Sequence, residues 1–172
     1  MSPLRFGLVS ATVLLCVLAA GCNYTFQAGA GLPTHVRTIA VTPFENETGR
    51  FELSQEVYDV FLEELPSAFG LRLVSEEHAD AIVRGSIRSY SVDAPSYRPA
   101  AGGQRAEVVE RRVSMTIHVQ VIDRANSMIL WDNTNLSARG EYAEATELEE
   151  DGRRTAVERL AQAVIDGIQS NW

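Results

Sequence analysis

Residues 107–123 alternate between apolar and polar side chains, and this pattern constrains the fold more than any other feature of the chain. One set of alternate positions holds Val109, Arg111, Val113, Met115, Ile117, Val119 and Val121. The other set holds Glu110, Arg112, Ser114, Thr116, His118 and Gln120. Successive side chains of a strand point to opposite faces, so the pattern predicts one long strand with a buried face and an exposed face.

The segments that flank this strand predict further strands. Turn residues at 123–126 precede the apolar run Met128-Ile129-Leu130-Trp131, which predicts a hairpin over 107–139. Trp131 is expected in the core, and the alternative is a binding platform. Other strands are predicted over 36–44, 71–74 and 81–92. In the last of these we expect Arg84, Arg88 and Tyr90 on one face. Residues 45–49 are expected to form a turn, and residues 93–106 a long loop.

Two segments have the apolar spacing of helices. Apolar residues recur on one stripe from Leu53 to Leu65, and Pro66 is expected to end that helix. A second helix is predicted over 145–170, with acidic residues at its start, where the helix dipole favours anions. The order β-α-β-β-β-β-α predicts an α+β fold. We expect a two-layer sandwich with a mixed, mostly antiparallel sheet and both helices on one face.

The N-terminus has the pattern of a lipoprotein signal. Residues 1–21 carry Arg5 and then an apolar run that ends in small residues directly before Cys22. The pattern predicts removal of residues 1–21, acylation of Cys22 with N-acyl and S-diacylglycerol groups, a tether over 22–35 and one domain over 36–172. An Asp directly after the acylated cysteine favours retention in the inner membrane. The residue there is Asn23, which favours the outer membrane. The alternative is an ordinary cleaved signal with a chance cysteine.

Composition and motifs argue against several classes of function. The formal net charge is −8, which argues against general binding to nucleic acid or to anionic membranes. We find no nucleophile elbow, phosphate-binding loop or dinucleotide-binding turn. His35, His78 and His118 are far apart in sequence, and the acidic residues at 147–151 lack the pattern of a calcium loop. An enzyme, a bound cofactor and a metal site are therefore not expected.

Arginine is the remaining candidate for binding, because all 15 basic residues of the chain are Arg. A guanidinium suits phosphate and carboxylate groups. If the strands are neighbours, several of these side chains could converge near one end of the sheet as an anion site. The candidates are Arg84, Arg88, Arg111, Arg112 and Arg139, with Arg98 and Arg105 in the expected loop. The alternative is scattered surface charge with carboxylate partners.

The opening of the mature chain reads Cys22-Asn23-Tyr24-Thr25-Phe26, followed by a run from Leu32-Pro33-Thr34-His35 through Ile39-Ala40-Val41 to Phe44-Glu45-Asn46-Glu47-Thr48. This opening resembles that of the LptE family of lipopolysaccharide-assembly lipoproteins. Similarity continues at Ala79–Ile87, in the strand over 113–121 and at Ile129-Leu130-Trp131. Asn23 differs from the Gly that is usual in the family, and the 47–53 segment is short.

The resemblance implies a two-helix, four-stranded sandwich and a non-enzymatic role. It implies a lipid-anchored protein on the periplasmic side of the outer membrane. Its expected partners are an LptD-like β-barrel, which it would plug and help to assemble, and lipopolysaccharide or a similar glycolipid. The alternative is a periplasm-facing lipoprotein that activates a peptidoglycan synthase or forms a curli-type secretion assembly. Such proteins share a similar first strand and a similar Ala-Asp…Gly segment.

Overall fold

The structure is a computed structural model that describes residues 31–99 and 106–170. Its strands are β1 (Thr38–Val41), β2 (Glu45–Asn46), β3 (Arg72–Leu73), β4 (Ala81–Pro99), β5 (Ala106–Asp123) and β6 (Met128–Ala143). Its helices are α1 (Glu52–Phe69) and α2 (Glu149–Ser170), and a short 3-10 turn covers Glu76–His78. Cys22, the signal, most of the tether and Arg105 lie outside the described residues.

The strands form one mixed sheet in the order β3-β1-β4-β5-β6, with β2 beside β4. The β1 strand pairs in parallel with β3 and β4, and β2 also runs parallel to β4. The β4, β5 and β6 strands are antiparallel neighbours, which confirms the predicted hairpin. Both helices pack against the sheet. The predicted α+β sandwich is therefore confirmed, although its sheet has more strands than the resemblance implied.

The core lies between the helices and one face of the sheet. The side chains of β5 at 113, 115, 117, 119 and 121 are fully buried, as their alternation predicted. Both helices contribute apolar stripes, and the rings of Phe44 and Phe61 meet edge to face with centroids 5.0 Å apart. Trp131 packs on the same core, against Gly167 of α2. The buried face of the central strands is therefore the face that packs against the two helices.

Three predicted boundaries are wrong. Residues 93–99 continue β4 and β5 begins at 106, so the expected loop is largely a hairpin. Within the expected turn over 45–49, Glu45–Asn46 pairs with β4 as β2. The helix α1 also continues through Pro66 to Phe69. A proline in a last turn removes only one hydrogen bond. Gly70, with φ 63°, ends the helix, and the N–H of Leu71 donates to the carbonyl of Pro66 at 2.9 Å.

A β-bulge overturns the expected placement of Tyr90. Ile87 pairs with Ile117, whereas Ser89 pairs with Thr116, so Arg88 is an extra residue in β4. One extra residue reverses the alternation of the side chains that follow it, as far as the next register shift after Asp93. Tyr90 therefore pairs with the buried Met115 and packs on the helix side. The arginines at 84 and 88 stay on the other side.

Candidate functional site: the open face of the sheet

The side of β4, β5 and β6 that the helices leave uncovered, which we call the open face, is polar from the row of Arg84 to the row of Arg112. Beyond Arg84 the row Ile82–Ile122–Ile129 is apolar. Strand register places its side chains in cross-strand rows, since residues that are directly paired point to the same side. Successive rows are Arg84–Gln120–Asp132, Ser86–His118, Ser89–Thr116–Ser137, Ser91–Ser114–Arg139 and Asp93–Arg112–Glu141. Small hydroxyl residues thus occupy the middle rows, and charged residues occupy the ends.

Hydrogen bonds tie neighbouring strands together across the open face. The hydroxyls of Thr116 and Ser137 lie 2.9 Å apart. The Nε2 atom of His118 lies 2.9 Å from a carboxylate oxygen of Asp132, and a guanidinium nitrogen of Arg88 lies 3.5 Å from its Nδ1 atom. These bonds hold the polar side chains in place without an apolar cover. The open face is therefore ordered and hydrophilic, which suits contact with a hydrated surface.

The open face carries four of the five candidate arginines, at separate places. Arg84 lies near the end where residues 31–37 enter the fold, which we call the tether end. Arg112 and Arg139 lie in adjacent rows toward the other end, which we call the hairpin end. Gln120, the β5 partner of Arg84, and Arg112 are eight residues apart in β5, which is about 27 Å of strand at about 3.4 Å per residue. These side chains do not meet at a single point.

Three open-face arginines pair with carboxylates. Arg84 pairs with Glu76, Arg88 with Glu47 at 3.5 Å, and Arg112 with Glu141 at 2.8 Å. For Arg139 the described residues provide no carboxylate within pairing distance. The hydrogen bond that Arg139 accepts from the guanidinium of Arg159, at 2.5 Å, is made by its backbone carbonyl and does not engage its side chain. Arg139 is thus the open-face arginine whose guanidinium is most available to an incoming anion.

Arg111 lies on the opposite side of the sheet from the other candidates. It pairs with Glu144 at 2.7 Å and stands opposite Tyr142, which is buried under α2. Residues 111 and 112 are adjacent in β5, so they point to different faces. On the same side of the sheet as Arg111, the start of α2 holds a polar cluster that the sequence analysis did not predict.

That cluster joins β4 to the starts of both helices. The hydroxyl of Tyr90 donates to Glu149 at 2.7 Å, and the guanidinium of Arg50 lies 5.2 Å from the centre of the Tyr90 ring. Arg153 pairs with Glu56 at 2.5 Å. Burial and the hydrogen bond to Glu149 raise the pKa of Tyr90, so it stays a neutral donor. The cluster fixes the helices on the sheet, and its partners are too distant in sequence to be read from a pattern.

Two carboxylates fix the tether end of the sheet. Asp80 accepts hydrogen bonds from the backbone N–H groups of Arg37 and Thr38, both at 2.9 Å, and these bonds lower its pKa. Asp123 is fully buried and lies 2.7 Å from the Nε2 atom of His35. Burial acts to raise the pKa of Asp123, but hydrogen bonds from Asn126 and His35 outweigh it, and the pKa is lowered. The tether is thereby held at one end of the open face.

The described residues contain neither a membrane-spanning helix nor a cluster of metal ligands. Neither helix among them combines the length and the apolar content needed to cross a membrane. No group of three or more His, Cys, Asp or Glu side chains in ranges 31–99 and 106–170 is arranged to hold a metal ion. At 147–151, Glu147 instead accepts the N–H of Ala143 at 2.6 Å, and Asp151 accepts the N–H of Leu148 at 2.9 Å.

Comparisons with known proteins identify one family. Residues 36–171 match the family described as "Lipopolysaccharide-assembly", LptE. Hypothetical protein CT253 from Chlamydia trachomatis is 14% identical in structure-based comparison, with a TM-score of 0.55 over 78% of this chain and 96% of that chain. A minor lipoprotein from Acinetobacter baumannii is 17% identical, with a TM-score of 0.43 over 81% and 95%. A PelC dodecamer from Paraburkholderia phytofirmans is 11% identical, with a TM-score of 0.46 over 74% and 88%.

Of the three, the Chlamydia trachomatis structure is similar enough to support a comparison, and at 14% identity it supports the fold alone. A search of curated proteins found no match. The family match covers most of the chain, including every strand and helix of the sandwich.

Proposed function

This chain belongs to the LptE family of lipopolysaccharide-assembly proteins, and we propose that it is a non-enzymatic lipoprotein that plugs and helps to assemble an LptD-type β-barrel. In this proposal Cys22 carries the lipid anchor and the domain faces the periplasm at the outer membrane. The protein then assists the insertion of lipopolysaccharide into the outer leaflet. The role needs a rigid scaffold with a hydrophilic surface and needs no catalytic group.

The observation that carries the proposal is the continuous polar character of the open face from the row of Arg84 to the row of Arg112. The lumen of an outer-membrane barrel is hydrated and polar, so a protein held inside it has to present hydrogen-bonding groups. The hydroxyls of Thr116 and Ser137 are already ordered on the open face. They can exchange water for partner groups without reorganising the strands. An apolar face would suit a hydrocarbon or a dry protein interface instead.

A mild-detergent pull-down from outer membranes tests this role, with the full-length lipoprotein carrying a C-terminal tag. We expect recovery of a large β-barrel at one-to-one ratio. Thr116→Trp, which places a bulky ring in the middle of the open face, should lower barrel recovery at least fivefold. Gln162→Trp on the exposed side of α2 is the matched control and should lower it less than twofold. Recovery of a peptidoglycan synthase, or of a homo-oligomer without a barrel, would contradict the proposal.

We further propose that the open-face arginines contact glycolipid phosphates. A guanidinium donates two parallel hydrogen bonds to a phosphate. Arg139 is ready to do so, while Arg84, Arg88 and Arg112 would first exchange a carboxylate partner. Such exposed pairs contribute only about 0–1 kcal/mol each, so the exchange costs little. Arg111, on the helix side, would contact glycolipid only at the hairpin end.

Retention of purified lipopolysaccharide by the immobilised lipoprotein tests these contacts. Arg139→Gln should reduce retention by about tenfold, the value of one charged hydrogen-bonded contact. Arg112→Gln should reduce it less, because the native side chain must leave Glu141 before it binds. Arg154→Gln, on the exposed side of α2, is the control. Equal retention by all three variants and the unmodified protein would contradict the assignment.

A further inference from the structure

A cleft of about 430 Å³ opens at the tether end of the open face. Its floor is apolar, from Ile82 of β4 and Ile122 of β5, and its walls carry charged side chains. The lining residues are Glu76, Glu77, Ile82, Arg84, Ile122, Arg124 and Ser127. This volume is within the range of small-molecule sites. None of the roles discussed above uses the cleft as a whole.

The walls of the cleft balance two cations against two anions. Arg84 pairs with Glu76, and both side chains are about half exposed, at 52% and 48%. Arg124 donates from one guanidinium nitrogen to the backbone carbonyl of Glu77. The carboxylate of Glu77 accepts a hydrogen bond from the Ser75 hydroxyl at 3.3 Å. An exposed ion pair is worth little, so a ligand can replace its members.

We propose that this cleft binds the zwitterionic headgroup of a membrane phospholipid, of the phosphoethanolamine type. The phosphate would bind between the guanidiniums of Arg84 and Arg124, and the ammonium would bind Glu76 and Glu77. The glycerol backbone would lie on the isoleucine floor. A purely anionic headgroup would meet two carboxylates, and a purely cationic group would meet two guanidiniums. A zwitterion complements both signs at once.

The position of the cleft favours a lipid as the source of this headgroup, and this step rests on the lipid anchor of the proposed function. Ile122 and Arg124 flank Asp123, whose carboxylate holds His35 at the root of the tether. The tether from Cys22 to His35 can span at most about 45 Å, at about 3.4 Å per residue. The anchor therefore keeps the cleft close to headgroups, and a high effective concentration makes a weak site sufficient. The bound headgroup would fix how the sandwich is oriented on its membrane.

Isothermal titration with dihexanoyl-phosphatidylethanolamine, a soluble short-chain lipid used below its micelle concentration, tests the proposal. The protein is the full-length chain in a non-ionic detergent. We expect saturable binding that Arg84→Gln and Arg124→Gln each weaken by about tenfold, as expected for loss of a charged hydrogen bond. Arg154→Gln, whose exposed pair lies on α2, is the matched control and should leave binding unchanged.

Two further probes test the zwitterionic class. Dihexanoyl-phosphatidylglycerol and inorganic phosphate should each bind at least fivefold more weakly than the ethanolamine lipid. Glu76→Gln should narrow that preference, because it removes a carboxylate that recognises the ammonium. Equal binding of the glycerol lipid or of inorganic phosphate would overturn the proposal, and so would binding that is insensitive to both arginine substitutions.

The barrel pull-down separates this proposal from the proposed function. Arg124→Gln should recover the barrel as well as the unmodified protein does, while binding the ethanolamine lipid about tenfold more weakly. If no barrel is recovered but the lipid binds with the expected selectivity, the headgroup site stands and the plug role fails. If the barrel is recovered but the lipid does not bind, the headgroup site fails alone.

Discussion

Replacement of the buried carboxylate of Asp123 should destabilise the fold more than any exposed substitution. This side chain lies 2.7 Å from His35 Nε2, and it accepts two hydrogen bonds from Asn126, at 3.1 Å from the backbone N–H and 2.8 Å from the side-chain amide. Asp123→Ala removes the buried acceptor that these three hydrogen bonds share, although the donors His35 and Asn126 are themselves exposed. Hydrogen bonds to a charged group are worth roughly 1.5–3 kcal/mol each and are not additive, so we expect a loss of about 4 kcal/mol.

The sign of the effect of Asp123→Asn separates hydrogen bonding from burial. The lowered pKa of Asp123 means that its hydrogen bonds outweigh the desolvation of its charge. The charged form then stabilises the fold at neutral pH, and Asp123→Asn should cost about 2 kcal/mol there. Because the folded-state pKa lies below the ordinary 3.8, this stabilisation is complete above the unfolded-state pKa. It disappears as pH falls through the folded-state pKa, where the protonated side chain resembles Asn.

Urea unfolding followed by far-UV circular dichroism, at pH 7 and across pH 2–5, measures both quantities. The matched control is Asp132→Ala on the open face, which loses one exposed hydrogen bond to His118 and should cost less than about 1 kcal/mol. A loss below about 1 kcal/mol for Asp123→Ala would refute the reasoning. A more stable Asp123→Asn protein at pH 7 would show that desolvation dominates this site.

Two further substitutions test the packing and charge of the helices. Gly140→Ala should cost about 3 kcal/mol in urea unfolding, because a Cβ there would overlap the backbone carbonyl of Gly152 in α2. Gly49→Ala, where the Cβ would meet nothing within 4 Å, should change stability by less than about 0.5 kcal/mol, and equal losses would contradict the close approach. Burial and the neighbouring carboxylate of Glu158 raise the pKa of Glu64, so its charge opposes folding above its ordinary value of 4.5. Glu64→Gln should therefore gain about 0.3 kcal/mol at pH 7 and nothing at pH 3, and a loss at pH 7 would exclude this explanation.

The sequence predicted the structure correctly where the determining pattern lies within one segment of the chain. The alternation from Val113 to Val121 predicted both the strand and its buried face, because each side chain there follows the two-residue period without interruption. The start of the second helix was also recognisable from its acidic residues, one of which, Asp151, accepts the backbone N–H of Leu148 directly before the helix. The resemblance to the LptE family, carried by the first strand and its flanks, was confirmed by the match over residues 36–171.

The sequence did not predict the direction or the pairing of a side chain where these depend on residues far away in the chain. Arg88-Ser89-Tyr90 continues an alternating pattern, and nothing in these letters marks the extra residue that turns Tyr90 toward the helices. That bulge is a property of the register between β4 and β5. The carboxylate partners of the arginines are likewise remote, as in the pairing of Arg112 with Glu141. A sequence can indicate that arginines share a face, but only the fold decides which of them are already paired.

The pairing of the open-face arginines bears directly on how this surface could bind. A carboxylate beside a guanidinium cancels most of its field at a distance, so the open face does not act as a long-range trap for anions. It discriminates at contact, where a phosphate has to replace a carboxylate by forming better hydrogen bonds. Arg139 near the hairpin end and the mixed-charge cleft near the tether end then differ in kind. The first suits an anionic phosphate, and the second suits a headgroup that carries both charges, so the two ends of this surface differ in the class of lipid that each recognises best.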